Sequence, residues 1–151
     1  VVASPTRVLF EGDVYYAYVP GYAGHYGVLK GHESLVATNH QGGKLVLHLD
    51  PDGNEKREFL IHRGCTQMLH DHLAILARFG RAIEDLDLEE SKRRVQEVSA
   101  EIEAKKAEVE AETDEDRIAA GKAWLITEGI RLEWHEAKVH FMETGQESTK
   151  Q

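Results

Sequence analysis

The sequence has little of what several large classes of protein require. Its 151 residues include a single cysteine, Cys65, so no disulfide can form within the chain. No apolar run approaches the roughly 18 residues that a membrane-spanning helix needs, so we expect any association with a membrane to be indirect. Lys and Arg number 18 against 27 Asp and Glu. The net charge of −9 argues against binding to nucleic acid, which requires clustered basic side chains.

Motifs for catalysis and for ligand binding are missing as well. The sequence contains no phosphate-binding loop, no dinucleotide fingerprint and no nucleophile motif. His70 and His72 could share one face of a strand, but no cysteines or carboxylates at ligand spacing complete a metal site. The acids between Glu84 and Glu90 suit the start of a helix better than an acid–base pair. We therefore expect no catalytic residue, no metal and no cofactor.

The first part of the chain is patterned as strands and turns. Apolar and polar residues alternate along Lys44–Leu49, Glu58–His62 and His72–Phe79, which indicates strands with one buried face. Asp50–Gly53 reads Asp-Pro-Asp-Gly, a strong turn signal that predicts a hairpin between two of these runs. Short strands with turns at this spacing predict an all-β sandwich or barrel over residues 1–86.

A glycine-rich stretch at Val19–His32 stands out within this region. It contains Gly21, Gly24, Gly27 and Gly31 together with two histidines, and we expect an exposed loop there. Glycines allow one backbone to approach another closely, as in an interface with a partner. The alternative is an ordinary tight connection between strands. In that case Tyr22, Tyr26 and His32 take part in packing only.

Charge rises sharply after Leu88, no proline follows, and the pattern becomes helical. We expect a two-helix antiparallel hairpin over residues 87–143, with Thr113 capping the second helix, and a disordered tail over residues 144–151. The first helix carries a narrow stripe formed by Leu88, Val95, Val98, Ile102 and Val109. The second helix carries one stripe formed by Ile118, Leu125, Leu132 and Val139 and another formed by Ile126, Ile130, Trp134 and Phe141. Two stripes predict a second contact, with the β-domain or with another subunit.

The order of these segments resembles the small central-stalk subunit of rotary F-type ATP synthases, called epsilon in bacteria and chloroplasts and delta in mitochondria. The resemblance covers nearly the whole chain. It is carried by Ala3–Thr6 with the residues that follow it, by Val19–Gly21, by Gly24–His32, by Leu73–Ala77 and by Leu86–Leu88. It implies a subunit that catalyses nothing alone and that couples rotation of the membrane c-ring to ATP synthesis.

The resemblance also implies partners and contact residues. The β-domain would bind the gamma subunit and rest on the c-ring, so membrane contact would be indirect. The implied contact residues are Tyr22, Gly24, His25, Tyr26, Gly27, Lys30, Gly31 and His32. A mitochondrial version would also hold the small subunit called epsilon there. The helical-hairpin contacts for that partner would be Ile126, Ile130, Trp134 and Phe141.

The mitochondrial and bacterial versions of the family remain alternatives. Ala3-Ser-Pro-Thr6 and Leu86-Asp-Leu look more like the mitochondrial delta subunit, which implies the matrix side of the mitochondrial inner membrane. The alternative is a bacterial epsilon at the cytoplasmic face of the plasma membrane, whose helices also inhibit ATP hydrolysis. The sequence departs from the family pattern in two turns. Lys30 stands where the bacterial family often has proline, and His62–Cys65 stands in place of small residues. A third departure, Glu90, stands where ATP-binding epsilons have an arginine and would repel phosphate.

Overall fold

The computed structural model describes residues 1–148, which form an N-terminal β-sandwich followed by two helices. The first sheet has the strand order β2-β1-β9-β8-β5, and the second has the order β10-β7-β6-β3-β4. The strands are β1 Val2–Ser4, β2 Arg7–Phe10, β3 Tyr16–Gly21, β4 Gly24–Leu29, β5 Leu35–Thr38, β6 Gly43–His48, β7 Lys56–His62, β8 Cys65–Leu69, β9 His72–Leu76 and β10 Phe79–Ala82. The helices are α1 Leu88–Ala111 and α2 Glu115–Thr144. The predicted sandwich followed by a helical pair is confirmed.

The core lies between the two sheets and is built from alternate residues of each strand. Leu45 and Leu47 of β6 and Phe59 and Ile61 of β7 are fully buried there. The predicted turn joins these two strands, because the Gly53 N–H donates to the Asp50 carbonyl at 3.3 Å. The φ of Gly53 is 69°, a conformation that glycine adopts without strain.

The predicted glycine-rich loop is wrong as a description of the backbone. Val19–His32 contains most of a β-hairpin, in which β3 and β4 pair from Tyr16↔Leu29 to Gly21↔Gly24. Gly24 closes the two-residue turn with a φ of 132°. Strand β4 is the edge strand of the second sheet. Three of the six positions of β4 are glycine or histidine, so the strand lacks the apolar alternation that would have identified it.

The predicted single strand His72–Phe79 is two strands in different sheets. Strand β9 belongs to the first sheet and β10 to the second, and the chain crosses between them at Ala77 and Arg78. Ala77 is buried in the core at the crossing. The alternation of apolar residues continues through the crossing, so the sequence pattern contains no signal for the change of sheet.

The helices form the predicted antiparallel hairpin. Val98 and Ile102 of the α1 stripe are buried. The start of α1 lies beside the end of α2, where Lys92 Nζ is 3.2 Å from Glu143 Oε1. The cap of α2 is Asp114 rather than the predicted Thr113, because its carboxylate accepts a hydrogen bond from the Arg117 N–H at 3.0 Å. Aspartate is as good an N-cap as threonine, and the sequence offers both side by side.

The last third of α2 packs on the outer face of the second sheet. Trp134 is 6% exposed and stacks on Phe79 of β10, with 6.2 Å between ring centroids and 7° between planes. Leu60 and His62 alternate with the core residues of β7 and therefore face away from the core, yet both are fully buried. The hairpin thus covers this face, which explains why β7 is apolar on both sides.

The chain remains on the sandwich after α2 ends. Gly145 terminates the helix with a φ of 69°. Glu147 Oε1 then accepts a hydrogen bond from the Lys44 N–H at 2.8 Å and lies 2.9 Å from His25 Nε2. The structure therefore differs from the predicted disordered tail over residues 144–148, because a carboxylate satisfies a backbone donor of the second sheet. The rest of that predicted tail, residues 149–151, lies outside the described residues.

Candidate functional site

The contact residues predicted in the glycine-rich segment do not form one surface. Because they lie along an extended strand of six residues, Tyr22 and Lys30 stand at opposite ends of the sandwich, about 17 Å or more apart along β4. The structure brings together Tyr22, Gly24 and His25 at one end and Lys30, Gly31 and His32 at the other.

The end that carries Tyr22 adjoins the C-terminal segment of the chain. The Tyr22 N–H donates to the Thr38 carbonyl at 2.8 Å, and the Tyr22 ring is 60% exposed. The His25 ring stacks on Tyr18 with 5.0 Å between centroids, and its Nε2 lies 2.9 Å from Glu147. His25 is therefore already engaged within the chain, while Tyr22 remains exposed.

The end that carries Lys30 is ordered by its own hydrogen bonds. The Gly31 N–H donates to Asp71 Oδ1 at 2.7 Å, and Gly31 has a φ of 78°. The His32 N–H donates to the Leu29 carbonyl at 3.1 Å, and His32 Nδ1 lies 2.8 Å from the Glu33 carbonyl oxygen. Lys30, Gly31 and His32 are all exposed. This turn therefore presents a defined shape at the opposite end of the sandwich from Glu147.

Two of the predicted contact residues have structural roles. Tyr26 is half-buried and packs against the core, and burial raises the pKa of its phenol. Gly27 lies beneath the Tyr16 ring, and a Cβ at position 27 would overlap the Tyr16 hydroxyl. Gly24, by contrast, has open space around its Cβ position. Substitutions at Gly27 would therefore disturb the hairpin itself before they reached any partner.

The outer face of the first sheet is a surface that the sequence analysis missed. Register places Ala3, Val8, Leu76 and Cys65 in one row across four strands. The outward positions of this sheet are Ala3, Val8, Val36, Thr38, Cys65, Gln67, Leu69, His72, Ala74 and Leu76. None is Asp, Glu, Lys or Arg, although these make up 30% of the chain. We call this surface the uncharged face.

The uncharged face is exposed. Val36 is 76% exposed, and Val8, Leu69 and Leu76 are also among the exposed large apolar residues. The helical hairpin packs on the other sheet and covers none of these four. A contiguous apolar surface of this kind is characteristic of a protein–protein contact. The period-2 alternation of β8 and β9 contains the signal, since Leu69, Ala74 and Leu76 lie opposite the core residues.

The four residues predicted as a partner stripe on α2 have different environments. Ile126 is 68% exposed, whereas Ile130 and Phe141 are partly buried. Trp134 is buried against Phe79 within this chain. The stripe therefore serves two purposes, with its C-terminal part packed on the sandwich and Ile126 open at the surface.

A partly buried polar cluster joins the helices to the sandwich. Glu133 Oε2 accepts hydrogen bonds from Arg63 Nε at 3.2 Å and Nη2 at 2.8 Å, and lies 3.4 Å from His62 Nε2. Burial lowers the pKa of His62 to about 4, although the Glu133 carboxylate opposes this shift. Burial also lowers the pKa of His135 to about 4, assisted by Lys138. Both histidines are therefore neutral at pH 7.

Within residues 1–148, no group of three or more His, Cys, Asp or Glu side chains is arranged to hold a metal ion. Neither of the two helices described is long and apolar enough to cross a membrane. The surfaces built above are suited to contact with other proteins.

Comparison with known proteins gives the family. The family described as ATP synthase, Delta/Epsilon chain, beta-sandwich domain matches residues 1–82. The ATP synthase epsilon chain of Maricaulis maris is 35% identical over 109 residues, which are 72% of this chain and 79% of that one. The epsilon chain of Leptospira borgpetersenii is 33% identical over 97 residues, covering 64% of this chain and 73% of that one.

A solved structure agrees on the fold. A chain in the mitochondrial ATP synthase of Euglena gracilis superposes with a TM-score of 0.52 at 23% identity, covering 85% of this chain and 70% of that one. The family match spans the whole sandwich, and the epsilon chains named above match more than half of this chain. The chain belongs to the ATP synthase delta/epsilon family and is a non-catalytic subunit of the central stalk of an F-type ATP synthase.

Proposed function

We propose that this subunit couples rotation of the c-ring to ATP synthesis by contacting the gamma subunit and the c-ring at two separate surfaces. The uncharged face binds gamma. The turn at Lys30, Gly31 and His32 rests on the c-ring. The two sheets between these surfaces transmit torque, because a closely packed core has low compressibility and changes shape little under load.

The observation that carries the gamma contact is the uncharged face. An assembly that stays together through repeated rotation needs a long-lived interface, and such interfaces are more apolar than the rest of a protein surface. The uncharged face carries no Asp, Glu, Lys or Arg, exposes four large apolar side chains and is free of the hairpin, so it meets this requirement. Tyr22, exposed beyond the end of β4, is a second candidate for contact with gamma.

The position of the hairpin supports the ring contact at Lys30. Residues of α2 and Glu147 pack near the end of the second sheet that carries His62, Lys44 and His25. The end with Lys30 is clear of these contacts. The Euglena gracilis structure contains a c-ring, which is consistent with a ring partner for this chain. The internally bonded turn at Gly31 would let the subunit approach the ring closely.

We propose that the exposed part of the α2 stripe binds a further small subunit, the one called epsilon in mitochondria. Ile126 is the main contact residue, with Ile130 one turn further along the helix. Phe141 lies in the C-terminal part of the stripe and contributes only through its partly exposed surface, while Trp134 acts within the chain. Burying an isoleucine side chain contributes about 1.5–3 kcal/mol, so a partner that covers Ile126 would gain appreciable stability.

The location that goes with this proposal is the matrix side of the mitochondrial inner membrane. Ala3-Ser-Pro-Thr6 and Leu86-Asp-Leu support it. The relatives named above are bacterial, however, and favour the alternative, the cytoplasmic face of a bacterial plasma membrane. The encoded N terminus decides between them, because a basic, acid-poor presequence would indicate mitochondrial import.

A second candidate function is that of an epsilon chain whose helices also inhibit ATP hydrolysis. The name shared by these bacterial relatives favours it. Truncation after Leu86 distinguishes the two functions in an intact complex. If the hairpin only braces the stalk, truncation weakens assembly without raising hydrolysis. A several-fold rise in ATP hydrolysis would establish the inhibitory function instead.

The gamma contact is tested by charge insertion into the uncharged face. We expect Val36→Glu with Leu76→Glu to abolish co-purification with gamma, because an interface cannot readily bury unpaired carboxylates. Ile126→Glu is the control, with one such change at an exposed apolar site outside this face, and should retain gamma. Val36→Glu alone, which also adds one carboxylate, should already weaken the recovery of gamma. Circular dichroism must show all three variants folded. Normal recovery of gamma with the double variant would refute the assignment of this face.

A further inference from the structure

A cleft of about 540 Å³ lies where the edges of both sheets meet α2. Strand β2 is the edge of the first sheet and β10 is the edge of the second. The cleft is lined by the β1–β2 turn, by β10 with the preceding Arg78 and by the last third of α2. Four of its lining residues are cationic, namely Arg7, Arg78, Arg81 and Lys138. None of the lining residues is Asp or Glu.

These four cations stand out because they lie together in one cleft, since Lys30, Lys56 and Lys122 also form no ion pair among residues 1–148. Among residues 1–148, none of the four forms an ion pair with a carboxylate. Neighbouring cations do, since Arg57 lies 3.7 Å from Glu84 and Arg63 lies 2.8 Å from Glu133. In a chain with more acids than bases, four unpaired cations in one cleft leave a local positive charge to be neutralised from outside.

Lys138 is the most constrained of the four. Its side chain is buried, with 8% of the residue exposed, and its Nζ lies 5.3 Å from the centroid of the Trp134 ring. Burial lowers its pKa to about 8, with Arg81 acting in the same direction and the nearby Glu90 opposing it. The stem of this side chain is covered while its ammonium lines the cleft beside the Trp134 ring. An anion in the cleft would find this ammonium held in one place.

We propose that this cleft binds an extended acidic segment of a partner protein. The cations come from three separate elements, a spread that suits several carboxylates along one strand. Strand β10, the edge of the second sheet, lines the cleft with Phe79, Gly80 and Arg81, and an edge strand can pair with an added extended segment. A compact phosphate group fits less well, because α2 lines the cleft with its last third and presents no helix N-terminus to it. The proposal stands apart from the contacts with gamma and the c-ring.

The test measures fluorescence anisotropy of a labelled peptide with the isolated full chain. The probe alternates Glu and Thr over ten residues, and the matched neutral peptide alternates Gln and Thr. We expect saturable binding of the acidic peptide only. Arg78→Glu with Arg81→Glu should weaken it at least about tenfold, since reversal replaces two attractive contacts by repulsive ones. Arg78→Lys with Arg81→Lys keeps the charge and should retain binding within a few-fold.

The control variant is Arg93→Glu with Arg117→Glu, which makes the same change of net charge on exposed arginines elsewhere. It should bind the acidic peptide within about twofold of the unmodified chain. The proposal is overturned if the acidic peptide fails to saturate at millimolar concentration, or if both double reversals weaken it equally. Inorganic tripolyphosphate is titrated in parallel. If it binds more tightly than the peptide and is lost in the Arg78 and Arg81 reversal, the cleft is a phosphate site and the proposal is wrong.

Discussion

Removing the Trp134 side chain should separate the helical hairpin from the sandwich while leaving the sandwich folded. Trp134 is 6% exposed and makes its ring contacts with His62 and Phe79 of the second sheet. A buried tryptophan covers about 150–250 Å², which at ~25 cal/mol per Å² corresponds to about 4–6 kcal/mol. Substitution by alanine in protein cores costs about 3–5 kcal/mol. This free energy is lost from the docking of α2 on the second sheet, because Trp134 does not belong to the core that lies between the two sheets.

Hydrogen exchange measures this loss locally. A cost of 3 kcal/mol corresponds to a fall of at least about 100-fold in protection of amides in the docked third of α2. Amides of β6 and β7 should keep their protection in Trp134→Ala. The control is Trp124→Ala, since Trp124 lies between the helices beside Lys105 and does not touch the sandwich in its ring contacts. The reasoning is refuted if Trp134→Ala leaves the docked third protected, or if the sandwich loses protection to the same extent.

Three further outcomes are expected. Because the pKa values of His62 and His135 are lowered to about 4 in the folded chain, the unfolded chain binds more protons below pH 6.5. The contribution of these two histidines to the free energy of unfolding is therefore fully present above pH 6.5 and is lost as the pH falls toward 4. The free energy of unfolding measured by urea titration should be lower at pH 5 than at pH 7 by about 2 kcal/mol for each histidine. His62→Gln should remove the part of this difference that His62 contributes. Gly42→Ala should weaken docking, because Gly42 has a φ of 65° and its added Cβ would lie 2.6 Å from the Ala137 Cβ; unchanged exchange in α2 would contradict this. Calorimetric titration with ATP should show no saturable heat, since Glu90 stands where an arginine would bind phosphate; a micromolar dissociation constant would contradict it.

The helical half of the fold follows from the sequence because its signals are local. The stripe through Val98 and Ile102 has a single partner, the other helix, and both residues are buried as the spacing predicts. The hairpin at Asp50–Gly53 is equally local, since proline and glycine restrict that turn regardless of what surrounds it. Such features depend on neighbours within a few residues, which the sequence displays directly.

The candidate contact surfaces were harder to predict because they depend on which strands become neighbours. Val8, Leu76 and Cys65 are far apart in sequence and form one row only after β1 pairs in parallel with β9. Likewise, Tyr22 and Lys30 are eight positions apart, and the glycine-rich pattern predicts that they share one loop. Their backbone is extended, which places them at opposite ends of the sandwich. Registers between distant strands are decided by packing of the whole core, and no single segment contains that information.

The orientation of the sandwich on the c-ring is the central claim, and a site-specific cross-link tests it most directly. With Cys65→Ser as background, a photoreactive maleimide is attached at His32→Cys or, as the matched control, at Tyr22→Cys, in the assembled ATP synthase. Both positions are exposed and lie just beyond the two ends of β4. The account predicts products with the c subunit from position 32 and none from position 22. Products with the c subunit from position 22 alone, in a complex that retains this subunit, would contradict it.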